Sequence, residues 1–274
     1  MFTAPGARVA GMVTLANEEG DMAQPGDRSP VAAVVLVHGA WHGAWCWDRV
    51  VGPLRDAGIE VVAIDLPGHG ADPGPLEDLH GDAARLRGVL DSMDAPVVLL
   101  GHSYGGAVIT EAGDHPNVAR LVFLCALAVD ADETCATAGT GDPAAADISQ
   151  EGRIPLASTF VPNADGTAIT VTRDGAAALL YNDCDAESTE WALARLGPQP
   201  VLSFQQKPDA VAWKAKPSTY VVCADDQTIH PDIQRILARR CTTTIEWPTG
   251  HSPFLCRPEL VVDLLTTLSR SAGE

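Results

Sequence analysis

The sequence predicts an α/β fold: a mostly parallel sheet with helices on both faces and an inserted cap. Three observations predict it. Short apolar, β-branched runs alternate with helix-length segments between Val31 and Leu124, and a strand covered on both faces reads as such a continuous run. The alternation lapses from about residue 126 to 205 and resumes at Thr219, as expected of an insertion in a βα pattern. The chain's 274 residues, 46% of them hydrophobic, suffice for one large domain carrying such an insertion.

The elements follow in order. Residues 1–28 mix Gly, Pro, Asn, Glu and Asp and read as a tail, with a strand at Val9–Leu15 as the alternative. The domain then runs from 29 to 274. Val31–Val37 is the first buried strand, Trp47–Ala57 a helix that stops at Gly58, and Ile59–Ile64 a second strand. Leu76–Met93 has helical length, Val97–Leu100 is a strand, the stretch after Gly105 a helix, and Leu121–Leu124 another strand. The insertion offers only a short strand near Ile169–Val171 and a helix near Glu187–Arg195. Beyond it come strand Thr219–Cys223, helix Pro231–Arg240, strand Thr243–Glu246 and helix Pro258–Ser269.

Bulk properties exclude several classes of function. A net charge of −18 argues against nucleic acid as a partner, because phosphates are neutralised by Lys and Arg. No segment approaches the ~18 unbroken apolar residues of a membrane span, and the N-terminus lacks the pattern of a signal peptide. Seven cysteines without regular spacing do not form a disulfide framework. A cytoplasmic setting is expected. No local spacing suits a metal and neither nucleotide-binding glycine fingerprint occurs, so no cofactor is expected.

The chemistry gathers at strand ends. Ser103 lies in Gly101-His102-Ser103-Tyr104-Gly105, between a buried strand and a helix. A serine on so sharp a turn presents its hydroxyl at the carboxyl edge of the sheet. That hydroxyl needs a base, and His251, in the loop between the last strand and the last helix, is the candidate. The base needs an acid to fix its tautomer, for which Asp226 is preferred over its neighbour Asp225. Donors for a developing oxyanion are expected from the N–H of Tyr104 and of Ala40, with Trp41 N–H as the alternative. His38, His69 and His230 read as structural or loop residues. Trp41, His102, Leu156, Phe160 and Leu180 are candidates for a substrate pocket, though each could instead be packing.

Taken together, His38-Gly39-Ala40-Trp41-His42-Gly43-Ala44-Trp45, Asp65-Leu66-Pro67-Gly68-His69-Gly70, the Ser103 segment and Gly250-His251-Ser252-Pro253-Phe254 resemble the α/β-hydrolase superfamily. The chain looks most like the branch of small bacterial carboxylesterases, plant methyl-salicylate-type esterases and hydroxynitrile lyases. Tyr181-Asn182-Asp183-Cys184 and Trp191 also resemble the bacterial members. The resemblance implies the α/β-hydrolase fold and hydrolysis of a small, hydrophobic or aromatic ester by a Ser–His–Asp triad. The plant lyases carry a threonine and a lysine where this chain has Gly39 and Ser252. The missing lysine removes the positive charge that meets departing cyanide, so esterase is favoured over lyase. A non-hydrolytic biosynthetic step and a slow-turnover receptor are the other readings that this fold permits.

Overall fold

The computed structural model describes residues 32–271; the expected tail and the alternative strand at Val9–Leu15 lie outside the described residues. The chain begins with β1 (Ala33–Val37), α1 (Asp48–Asp56), β2 (Val61–Ile64), α2 (Leu79–Asp91), β3 (Val97–His102), α3 (Gly105–Ala112) and β4 (Val118–Leu124). A long segment follows, containing β5 (Phe160–Pro162), β6 (Ala168–Val171), α4 (Arg173–Leu179), α5 (Ala186–Leu193) and β7 (Gln199–Pro200). The chain then returns through β8 (Ser218–Cys223), α6 (Pro231–Ala238), β9 (Thr243–Trp247), α7 (Pro253–Cys256) and α8 (Pro258–Ser271).

Six strands form one sheet in the order β2-β1-β3-β4-β8-β9, parallel at every pairing. All residues of β1, β3 and β8 are buried, which explains the apolar runs Ala33–Val37, Val97–Leu100 and Tyr220–Cys223 within them. A strand packed by helices on both faces has no solvent side on which to alternate. Parallel strands need crossovers, and the crossovers here are the helices that cover the sheet. The segment between β4 and β8 makes its own three-stranded antiparallel sheet, β5-β6-β7. We call this segment the cap.

Local chemistry sets the element boundaries. Asp78 caps α2 by accepting from Gly81 N–H, so that helix starts three residues later than the apolar pattern suggests. Gly58 takes φ +80°; its N–H reaches Arg55 O at 2.9 Å and Ile59 N–H reaches Leu54 O at 3.1 Å, closing α1 with a Schellman motif. The cap holds more regular structure than its composition announces. Helix α4, capped by Thr172 on Gly175 N–H, and the two-residue strand β7 both escape pattern reading because they are too short to show a period.

Candidate active site

Ser103 follows β3 directly and takes φ +51°, a left-handed conformation that costs on the order of 1–3 kcal/mol for a non-glycine residue. The glycines around it make the turn sterically feasible. A Cβ on Gly101 would lie 2.4 Å from Gly105 O, and one on Gly105 would lie 2.6 Å from His38 O. With both absent, α3 packs directly against β1 and β3 and the serine sits at the sheet edge. Ser103 is 9% exposed, and among the described residues its hydroxyl makes no hydrogen bond to a protein group.

His251 and Asp226 are joined. His251 Nδ1 lies 2.7 Å from Asp226 Oδ2, and both side chains are buried. The Asp226 carboxylate is surrounded by donors. Its Oδ1 accepts from Thr228 N–H at 2.6 Å and from Ile229 N–H at 3.0 Å, while Oδ2 also accepts from Gln234 Nε2 at 2.7 Å. An acceptor-only group in such a setting makes His251 Nδ1 the protonated nitrogen and leaves Nε2 free to accept. Asp225 is exposed, and only its backbone engages the neighbouring loops. Of the two adjacent aspartates, the fold brings Asp226 to the histidine.

The loop after β1 and the turn after β3 each leave one backbone N–H beside Ser103 unengaged. Ala40 N–H and Tyr104 N–H donate to no protein acceptor among the described residues, and both residues line the same cavity as Ser103. Trp41 N–H is taken by Gln199 Oε1 at 3.3 Å, so that alternative donor is already engaged. His38 stiffens the loop. Its Nδ1 faces Gly39 O at 2.8 Å and its Nε2 accepts from Leu66 N–H at 3.1 Å. Burial pushes its pKa well below the ordinary histidine value, in keeping with the neutral ring that this pair of bonds requires.

The cavity has a volume of about 640 Å³, within the ~300–1,000 Å³ typical of small-molecule sites. Its walls are mainly apolar: Trp41, Leu127, Leu156, Phe160, Ile169, Val201, Phe204, Ile229 and Ile233. Thr140, Gln150, Gln205, Thr228 and His230 add polar groups, and among the described residues no Asp, Glu, Lys or Arg lines it. Trp41 packs on Phe160 and Phe204 with ring centroids 5.9 and 6.0 Å apart.

Two expected pocket residues stand elsewhere. Leu180 is 1% exposed and packs in the hydrophobic core, turned inward where it ends α4 as the C-cap residue. His102 is fully buried behind the triad. Its Nε2 donates to His251 O at 2.8 Å, and its ring lies 4.8 Å from that of Phe254. His102 therefore fixes the backbone of the His251 loop instead of meeting a ligand. Conversely His230, read as a loop residue, reaches the cavity wall and also caps α6 by accepting from Asp232 N–H.

Three residues around the site escape sequence reading: Gln199, Gln234 and Phe204. Gln234 had a readable signal, since it shares the apolar face of α6 with Leu237 and Ala238 at i, i+3 and i+4. Gln199 and Phe204 sit in short irregular pieces with no such pattern. Folding also collects possible metal ligands that no local spacing announces, namely His102, Cys125 and His251, then Asp183, Cys184 and Cys256, and finally His80, Glu111 and Asp209. In the first group the ring nitrogens facing protein atoms are already committed to His251 O and Asp226.

Tyr104 ties the site to α2. Its hydroxyl donates to Asp82 Oδ2 at 2.6 Å, and burial pushes the Asp82 carboxyl up to about 8. The folded carboxyl thus keeps its proton to about pH 8, whereas the unfolded one loses it near 4. Unfolding releases a proton across that window, so this group's contribution is whole below pH 4 and is lost as pH rises to 8. Urea denaturation of the wild type between pH 5 and 8 should show stability falling by up to ~1.4 kcal/mol per unit from this group. The Asp82→Asn variant should show a flatter profile; equal slopes would dismiss the coupling.

Residues 34–264 match the model of the alpha/beta hydrolase family. The chain belongs to that family. Among its relatives, an alpha/beta hydrolase of Aspergillus novofumigatus, nvfD, is 29% identical over 88% of this chain and 98% of its own length. Methylesterase 2 of Arabidopsis thaliana is 28% identical over 86% of this chain and 95% of its own. The crystal structure of polyneuridine aldehyde esterase superposes with a TM-score of 0.74 at 23% identity, covering 87% of this chain and 99% of that one. This α/β-hydrolase matches the fold of that structure over nearly all of its described residues. Among those residues, no helix is long and apolar enough to cross a membrane.

Proposed function

We propose that this α/β-hydrolase is a serine esterase that cleaves an uncharged, hydrophobic carboxylic ester through an acyl-enzyme. The single observation that carries the reading is the closed Asp226–His251 pair, donor-saturated at the carboxylate, beside a cavity that holds Ser103 and two unengaged backbone N–H groups. In the mechanism, His251 Nε2 takes the Ser103 proton as Oγ attacks the ester carbonyl. Asp226 stabilises the imidazolium that forms. Ala40 and Tyr104 N–H donate to the oxyanion of the tetrahedral intermediate. His251 then protonates the departing alcohol, and water, activated by the same base, releases the acid.

The apolar wall composition supports a neutral ester with a bulky or aromatic group. A charged group would be left without a partner among these side chains. The relative that bears the name methylesterase supports a small alcohol on the other side of the bond. The experiment is a panel of methyl esters whose acyl part grows from acetate to an aryl-alkanoate, with intact-mass detection of a fluorophosphonate adduct on Ser103. The expected result is one adduct per chain and kcat/KM rising at least about ten-fold as the apolar group fills the cavity, roughly 0.8 kcal/mol for each buried methylene. A panel with no turnover, on protein that still takes the label at Ser103, would replace hydrolysis by a non-hydrolytic reaction.

A further inference from the structure

The peptide plane between Ala40 and Trp41 is held at both polar ends from the cap. Its N–H donates to Gln199 Oε1 at 3.3 Å. Its carbonyl, Ala40 O, is 2.8 Å from His42 Nδ1, and the other nitrogen of that ring is 2.8 Å from the Tyr181 hydroxyl. A carbonyl can only accept, so His42 carries its hydrogen on Nδ1 and accepts from Tyr181 at Nε2. The relay thus has one direction, from the Tyr181 O–H through His42 to Ala40 O. One residue further on, Gly197 N–H donates to Trp41 O at 2.8 Å, and the Trp41 indole N–H donates to Ile169 O at 3.2 Å.

These bonds act on a strained turn. Trp41 sits at φ +64°, and a bulky residue stays there only where its surroundings over-determine it. Gln199 is fully buried and Tyr181 is 2% exposed, so water cannot replace either partner. The plane they pin immediately follows Ala40 N–H. We propose that Tyr181 and Gln199, both from the cap, are positioning residues that hold the Ala40–Trp41 peptide so that Ala40 N–H faces the oxyanion formed at Ser103. The proposal rests on the serine-esterase reading. It makes the cap part of the catalytic apparatus as well as a wall of the pocket: displacing the cap displaces a donor.

The test compares wild type with Tyr181→Phe, which removes one oxygen, with Gln199→Met, which removes the acceptor, and with Gln199→Glu, which keeps an acceptor. Steady-state kinetics on the best methyl ester are paired with inhibition by a trifluoromethyl ketone, whose serine adduct carries an oxyanion. A directly lost donor costs ~10²–10³ in kcat, so loosening one should cost roughly ten- to a hundred-fold. The expected result is that loss in kcat for Tyr181→Phe and Gln199→Met, with KM within about two-fold and ketone affinity falling in step. Gln199→Glu should regain most of the lost kcat. A merely structural role would lower the melting temperature and leave kcat per folded molecule unchanged. Wild-type kcat in folded Tyr181→Phe and Gln199→Met overturns the proposal while leaving Ser103 chemistry intact. Undiminished turnover by a Ser103→Ala control would instead remove the esterase reading beneath it. Should one of the variants fail to fold, the other decides.

Discussion

Ser103→Ala is expected to reduce ester turnover by about 10⁴-fold or more, with no loss of folded protein. The size of the effect follows from what remains. Without Oγ no acyl-enzyme forms, and His251 can at best activate water from a position built for a serine 9% exposed at the cavity wall. Ala40 and Tyr104 N–H still face a bound carbonyl, so a residue of catalysis over water should persist. Stability should change little. Among the described residues the serine hydroxyl has no hydrogen bond to lose, and alanine needs no more room than serine beside Gly39, where an added Cβ would lie 3.0 Å from Ser103 Cβ. Active-site titration and kcat on the same preparation check the prediction, with circular dichroism as the control for folding. A variant that retains more than about one per cent of wild-type turnover would point to a different nucleophile.

The strands and helices that hold these residues are legible in the sequence because burial on both faces leaves an unmistakable mark. β1, β3 and β8 have no solvent side, and the glycines around Ser103 have no spatial alternative. Ser103, His251 and Asp226 are legible for a related reason, since each follows a strand of the one parallel sheet and so must emerge at its carboxyl edge. What the sequence hides lies in the cap. Its strands are two to four residues long, below the length at which periodicity can register, and its contacts with the core are long-range. Gln199 bonds to Trp41 across 158 positions and Tyr181 to His42 across 139, and nothing local to either residue encodes the partner. Leu180 illustrates the same limit in reverse. Its apolar character tells that it is buried, but not whether a ligand or the sheet buries it.

Asp226→Asn should lower kcat by ~10³–10⁴, the penalty seen where a triad histidine is left in the wrong tautomer. The contacts explain why asparagine cannot substitute despite its near-identical shape. All four groups around the carboxylate are donors: Thr228 N–H, Ile229 N–H, Gln234 Nε2 and His251 Nδ1. An amide offers only one oxygen, which the two backbone N–H groups behind it hold in place. Its NH₂ then faces Gln234 and His251. The histidine can meet that NH₂ only by accepting at Nδ1, which moves its hydrogen to Nε2, the nitrogen that must receive the Ser103 proton. Gln234 cannot relieve the clash by turning over, because its Oε1 accepts from Cys223 N–H at 2.9 Å while its Nε2 also donates to Ile229 O at 2.9 Å. Asp225→Asn, on an exposed side chain one residue away, should alter kcat less than about two-fold. Measuring the two variants side by side separates loss of the acid from loss of negative charge in the loop, and comparable losses in both would transfer the role of orienting His251 away from Asp226.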